Sequence, residues 1–325
     1  VFDPSLGIRE IAIKPERPSG TYLLDCYRYS GQVLREVQQM PEHLVYAQGL
    51  SVWKGLSRIG QRVILNPHGL EAFQSITPKD QLAGFPFRAI MRYQFRRCAC
   101  VVSLGGRLTA IIEKNAGSAM VARLPNAVEL PPPVQRDYNN PVTRFLFVGR
   151  FAYNKGIDVL LQAARELNDE GLSAQTGYNL VGTGPLLEEL SKKYVLPNLN
   201  FIGFASDEKL SLLYSENDIF VLPTLFEGMP TVVLEAMANG MPVIVTDTGA
   251  TRDMVDESNG IIIEKKDVRS LKDAIRKFIV AGPEFRESCS RASFEKVKSQ
   301  FTWRHVAEEH IRLFMTLKNK MGTHA

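Results

Sequence analysis

Two apolar rhythms alternate along the second half of the chain. Short apolar runs, "RFLFVG" (144–149), "YNLVGTG" (178–184), "NLNFIGF" (198–204), "DIFVLP" (218–223), "PVIVTD" (242–247) and "NGIIIE" (259–264), read as buried strands. Between them stand stretches with apolar residues at helical spacing. They are "GIDVLLQAARELNDEG" (156–171), ending at Gly171, "SDEKLSLLYSEN" (206–217), with Ser206 placed as N-cap, "PTVVLEAMANG" (230–240) and "VRSLKDAIRKFIV" (268–280). Regular alternation of strand and helix predicts a parallel sheet covered on both faces.

The first half repeats the pattern less cleanly. Strands are predicted at "REIAIK" (9–14), "HLVYAQG" (43–49), "QRVILNPHG" (61–69) and "CVVSL" (100–104). Helices are predicted at "DCYRYSGQVLREVQQM" (25–40), "FPFRAIMRYQFRRC" (85–98), with Pro86 in the first turn, and "GRLTAIIEKN" (106–115). A proline run followed by polar residues, "ELPPPVQRDYNNPVTR", separates the halves and puts a linker at about residues 130–141. The fold class is therefore α/β, with two doubly wound, Rossmann-like domains. Ligands of such sheets bind at the carboxyl ends of the strands and in the cleft between domains.

Composition and charge adjust this picture only slightly. Residues 1–140 hold 17 basic against 11 acidic side chains, and the remainder 22 against 24, so the first domain is the basic one. That excess is modest and comes with no nucleic-acid motif, so no nucleic-acid partner is expected. Cys26, Cys98, Cys100 and Cys289 show no paired ligand spacing, which argues against a zinc site and a disulfide framework and favours a reduced, cytoplasmic setting. No apolar run reaches the roughly 18 residues of a membrane span, and no signal peptide is visible.

Four clusters carry candidate chemistry. In the "FEGMPTVVLEAMANG" stretch, Pro230 suits the first helical position and Gly240 the stop. Thr231, Glu235 and Asn239, four apart, then form one polar stripe on an otherwise apolar helix. Glu227 precedes that helix, and Gly228 lets backbone approach a ligand. Read alone, Glu235 is equally a solvated helix residue. In "FVGRFAYNKG", Gly149 is followed by Arg150 and Lys155, two cations near a helix start that suit a diphosphate but are also ordinary loop residues. "VGTGP", with Gly182 and Gly184, is either a nucleotide-approaching turn or a plain one, and it does not complete a dinucleotide fingerprint. His68, in "LNPHGLEAF", ends a strand and either donates into the cleft or is merely structural.

Together these segments resemble one family. Glu227 and Glu235 form E-x7-E within "EGMPTVVLEAMANGMPVIVTDTG". In order along the chain there are also "PHGLE", "VVSLGGRLTAII", "LPNAVE", "FLFVGRFAYNKGIDVLLQA", "LVGTGP", "NLNFIGFASDEKLSLLYSENDIFVLPTLFEG", "NGIIIE" and "FTWRHVAEEHIRLF". The chain resembles the retaining, GT-B-fold glycosyltransferases of family GT4 (glycosyl transferases group 1). The resemblance implies two Rossmann-like domains facing across a cleft. Residues 1–135 would be the acceptor-side domain, 141–302 the donor-binding domain, and 303–320 a helix crossing back to the first. The first domain looks short of the family's early strand–helix–strand portion and its glycine-rich loop. The family's usual "NGVD" stands here as "NAVE".

Roles follow from the resemblance, position by position. Arg150 and Lys155 would bind the diphosphate of a UDP-, GDP- or ADP-sugar. Glu227, with backbone around Gly228, Met229 and Pro230, would hold the donor sugar, and Glu235 the ribose. Gly149, Gly182, Gly184 and Thr231 would line the donor site, and His68 would reach the sugar from the opposite domain. Transfer to a saccharide or lipid-linked hydroxyl, with retention of configuration, would serve cell-surface polysaccharide or glycoconjugate synthesis. With no Asp-x-Asp pair and two cations at the diphosphate, neither a metal nor a cofactor is expected. Arg88, Arg92, Arg96 and Arg97 fall on one side of a helix with aromatic neighbours. They suggest peripheral contact with the inner membrane face, or else a solvated face over a buried one. The competing readings are a donor-binding homologue that has lost transfer, and a sugar-nucleotide epimerase.

Overall fold

In the computed structural model, which describes residues 5, 7–13, 18–74 and 77–322, every strand runs parallel to its neighbours. The first sheet comprises β1 (Val45–Gln48), β2 (Val63–Asn66), β3 (Cys100–Ser103) and β4 (Met120–Arg123), in the order β1-β2-β3-β4. Its helices are α1 (Tyr22–Gln38), α2 (Leu56–Ile59), α3 (Pro78–Ala83), α4 (Phe85–Phe95) and α5 (Gly106–Ala116). β2 and β3 are buried at every position, as continuous apolar strands inside a covered parallel sheet should be.

The second sheet comprises β5 (Thr143–Val148), β6 (Thr176–Val181), β7 (Leu199–Gly203), β8 (Ile219–Leu222), β9 (Val243–Thr246) and β10 (Gly260–Ile263). Its helices are α6 (Ile157–Asp169), α7 (Leu187–Lys193), α8 (Asp207–Glu216), α9 (Thr231–Ala238), α10 (Thr251–Met254), α11 (Val268–Val280) and α12 (Pro283–Gln300). The strand order is β10-β9-β8-β5-β6-β7. Connections therefore run one way from β5 to β6 and β7, and the other way from β8 outward. A crevice opens at the carboxyl ends of β5 and β8, where the order reverses.

Helix α13 (Trp303–Gly322) returns to the first domain. Its Leu313 and Leu317 bury against Ile64, Cys100, Val102 and Leu124, and its His310 Nε2 lies 3.1 Å from the Tyr46 hydroxyl. The two passages between domains are joined: the Val128 amide donates to the Phe301 carbonyl at 2.9 Å, and Val128 bridges Thr302. The linker is also fastened by Arg136. Its half-buried guanidinium donates to the carbonyls of Asn217, Asn239 and Tyr214 at 2.8, 2.5 and 2.5 Å.

Two expectations are corrected. Residues 9–13 form no strand, and the rest of that stretch, position 14, lies outside the described residues. Ile8 and Ile11 are exposed, so the alternation there meets no sheet to bury against. Pro230 is the N-cap rather than the first helical residue, with an extended ψ of 114°. Gly240 follows the helix with φ at +70°, a left-handed stop.

Candidate functional site

Lys155 follows β5 and Glu227 follows β8, so the switch point brings them together. The Lys155 Nζ lies 2.5 Å from the Glu227 Oε1, with both side chains largely buried. Local hydrogen bonds explain the meeting. The turn Tyr153–Lys155 presents the Asn154 carbonyl, which accepts from the Leu225 amide at 2.8 Å and the Thr224 hydroxyl at 2.9 Å. Thr224 Oγ1 also lies 3.2 Å from Glu227 Oε1. Gly156 has φ +66°, and a Cβ there would stand 2.0 Å from the Pro223 carbonyl oxygen, so only glycine lets the two loops approach this closely. Arg150 is exposed at the end of the same strand, behind buried Phe151.

Gly182 and Gly184 have a packing role here. A Cβ on Gly182 would lie 1.9 Å from the Gly149 carbonyl oxygen, and one on Gly184 2.5 Å from that of Phe151. These glycines let the loop after β6 lie against the loop that carries Arg150, and the Phe151 amide donates to the Thr183 carbonyl at 2.9 Å.

Glu235 lies one helix away from that pair and has a different partner. Its Oε2 accepts from the Tyr214 hydroxyl at 2.8 Å. Burial, and then the Glu235 charge, push the Tyr214 hydroxyl well above its ordinary range, so it stays a donor. Thr231, Glu235 and Asn239 line one cavity of about 640 Å³, closed by Asp207, Ser211 and Tyr214 and by Val128 and Trp303 of the interdomain passages. The helix start is held from the first domain: Asn126 Nδ2 donates to the Met229 carbonyl at 2.8 Å.

The first domain closes over the Glu227 turn. His68 is exposed with φ +58°, a left-handed conformation rare outside glycine, and its amide donates to Asn66 Oδ1 at 3.0 Å. A Cβ on Gly228 would come 3.1 Å from the His68 carbonyl oxygen, so the two loops are in contact. Among the described residues, no hydrogen bond joins the His68 ring to Lys155 or Glu227.

Sequence reasoning missed the contact between the domains. The Gly106 amide and the Arg123 guanidinium both donate to Asp253 Oδ2, at 2.8 and 2.7 Å, and Arg107 pairs with Asp247 at 2.6 Å. Burial pushes the Asp247 carboxyl up, but hydrogen bonds from Arg252 and Arg107 outweigh it and hold the group below the usual carboxylate range. Gly249, with φ +50°, packs on the Gly228 carbonyl. The glycine pairs "GG" and "TG" after two strands were the available signal. The four arginines proposed for a membrane face are partly consumed. Arg88 donates to the Ala72 and Gln81 carbonyls at 2.7 and 2.6 Å, and Arg92 to Asn115 at 2.8 Å. No helix among the described residues is long and apolar enough to cross a membrane.

Residues 135–296 match the family described as glycosyl transferases group 1. The chain is a member of that family. A Methanocaldococcus jannaschii glycosyltransferase, MJ1607, is 29% identical over 182 residues, covering 54% of this chain and 46% of that protein. The chain thus spans about half or less of most such curated relatives. Sucrose-phosphate synthase from Thermosynechococcus elongatus superimposes with a TM-score of 0.77 at 22% identity, covering 93% of this chain and 80% of that one. Anabaena HepE, solved with UDP-glucose, gives 0.66 at 17% identity over 89% and 82%. The fold is GT-B.

Proposed function

We propose that this glycosyltransferase moves a sugar from a nucleotide-diphosphate sugar to a hydroxyl acceptor, with retention of configuration. The observation that carries the reading is the Lys155–Glu227 pair at the strand-order reversal, with the Glu235 cavity one helix away. That a GT-B neighbour was solved with UDP-glucose supports it.

In this reading Arg150 and Lys155 take the diphosphate. An ammonium has three donors, so Lys155 can keep Glu227 while it reaches a phosphate oxygen. Glu227 accepts from donor-sugar hydroxyls, with Gly228, Met229 and Pro230 lending backbone, and Glu235 accepts from the ribose. Thr231, Gly149, Gly182 and Gly184 shape the path between them, and His68 approaches from the first domain. Negative charge grows on the leaving diphosphate while the sugar becomes oxocarbenium-like, so fixed cations there lower the barrier more than they aid binding. The sugar C1–phosphate oxygen bond breaks, and the acceptor oxygen attacks C1 from the same side. Two cations at the diphosphate make a divalent metal unnecessary in this scheme, and activity unchanged by chelator is expected.

A thermal-shift panel of UDP, GDP, ADP and their sugars tests the donor class, because a ligand of the native state raises its stability. Absence of any shift would remove the donor assignment. Anomeric NMR of the product tests retention, and an inverted product would reject it.

A further inference from the structure

A second cavity opens beside the loops that carry Lys155 and Glu227. It measures about 710 Å³, within the usual range of small-molecule sites. One wall is Phe87 and Met91 of α4, with Glu71 above them, and the other is Tyr153, Leu225 and Phe226. Asn154 and Phe226 adjoin Lys155 and Glu227 in the chain, so the cavity borders the two loops that carry the pair.

Much of its lining is apolar, and some of its polar side chains are already engaged. Thr77 and Asp80 bond to each other at 2.6 Å, and Thr77 caps α3. Lys266 lies over the Tyr153 ring at 5.1 Å, and Lys265 over the Phe226 ring at 5.9 Å. A bare saccharide set between these walls would leave hydroxyls without partners. An apolar chain would not. Glu71 also lines the cavity. A Cβ on Gly69 would meet its Oε1 at 2.2 Å, and Gly69 in turn packs on Gly228.

We propose that this cavity is the acceptor site and that the acceptor is an amphiphile. Its alkyl chain lies between Phe87, Met91 and Phe226, and its hydroxyl points along Glu71 toward the Glu227 turn. The proposal rests on the glycosyl-transfer reading. In the transfer the acceptor oxygen forms the new bond to C1, the C1–phosphate oxygen bond breaks, and the hydroxyl proton leaves with the nucleotide diphosphate.

The test compares octyl and methyl β-D-glucopyranoside, the former below its micelle threshold, titrated calorimetrically into the full chain. A buried methylene is worth roughly fourfold in affinity, so the octyl compound should bind at least about tenfold tighter. Phe87→Asp and Met91→Asp should each lose at least about tenfold of that affinity. Both should keep wild-type affinity for nucleoside diphosphate. Equal binding of the two glucosides, or octyl binding untouched by both substitutions, overturns the acceptor proposal while nucleotide binding stands. If the wild type discriminates octyl from methyl but binds no UDP, GDP or ADP, the transfer reading fails and the acceptor role with it.

Discussion

Lys155 and Glu227 are each other's partners before any ligand arrives, and that shapes what their substitutions should do. Removing a preplaced cation at the leaving group typically costs roughly 10²–10³-fold in rate. Lys155→Ala should lower kcat by that order and change donor KM less, measured by steady-state kinetics with varied donor. An unchanged kcat would sink the assignment. Glu235, held by the Tyr214 hydroxyl at 2.8 Å, stands apart from this pair. Glu235→Ala should therefore raise donor KM with little effect on kcat. Tyr214→Phe should do the same more weakly, because it only frees the carboxylate to wander. The spacing of the two glutamates was legible in the sequence, since Glu227 precedes one helix and Glu235 lies in it. Their partners were not: Tyr214 and Lys155 lie on other elements, and only the strand order brings them near. Asn126 and Asp253, which join the domains at this level, were invisible for the same reason.

At the scale of elements, the buried strands and the amphipathic helices of the second domain follow from apolar spacing, because the central strands there, β8 and β9, are covered on both faces. The same logic failed at residues 9–13, where alternation had no sheet beside it. Loop crossings were the least legible, since they depend on which backbones touch. Gly156 is a test of such a crossing. Gly156→Ala must hold φ near +66° and push back the Pro223 carbonyl. It should cost at least about 1 kcal/mol in denaturant unfolding and lower activity by displacing Lys155. Asp256 tests a different junction, that between the turn before β10 and α12. Lys296, at 2.6 Å, and Ser258 hold the Asp256 carboxyl down at about 2, below its ordinary 3.8. A lowered folded-state pKa contributes stability that is present above the unfolded value and is lost as pH falls through the folded one. Asp256→Asn should thus lower Tm at neutral pH. The gap from wild type should close progressively between pH 3.8 and about 2, as calorimetry can follow. A gap that persists at the acid end would remove the ion pair as its cause.

For the whole molecule, α13 makes the first domain depend on the last stretch of chain. Leu313 is 7% exposed and sits on the first sheet with Ile64 and Val102. Leu313→Ala should cost about 2–5 kcal/mol, read by urea unfolding. The loss should appear in the transition of the first domain, and nucleotide affinity of the second should change little. The resemblance of "FTWRHVAEEHIRLF" to a crossing helix implied this arrangement, but the sequence alone did not show that the two interdomain passages are stitched together at Val128 and Phe301. That stitch makes the two passages one paired connection instead of two separate tethers. The cavity beside Glu235 is walled by Val128, on the first passage, and Trp303, where the second passage enters α13. A ligand held there would touch both crossings between the domains at once.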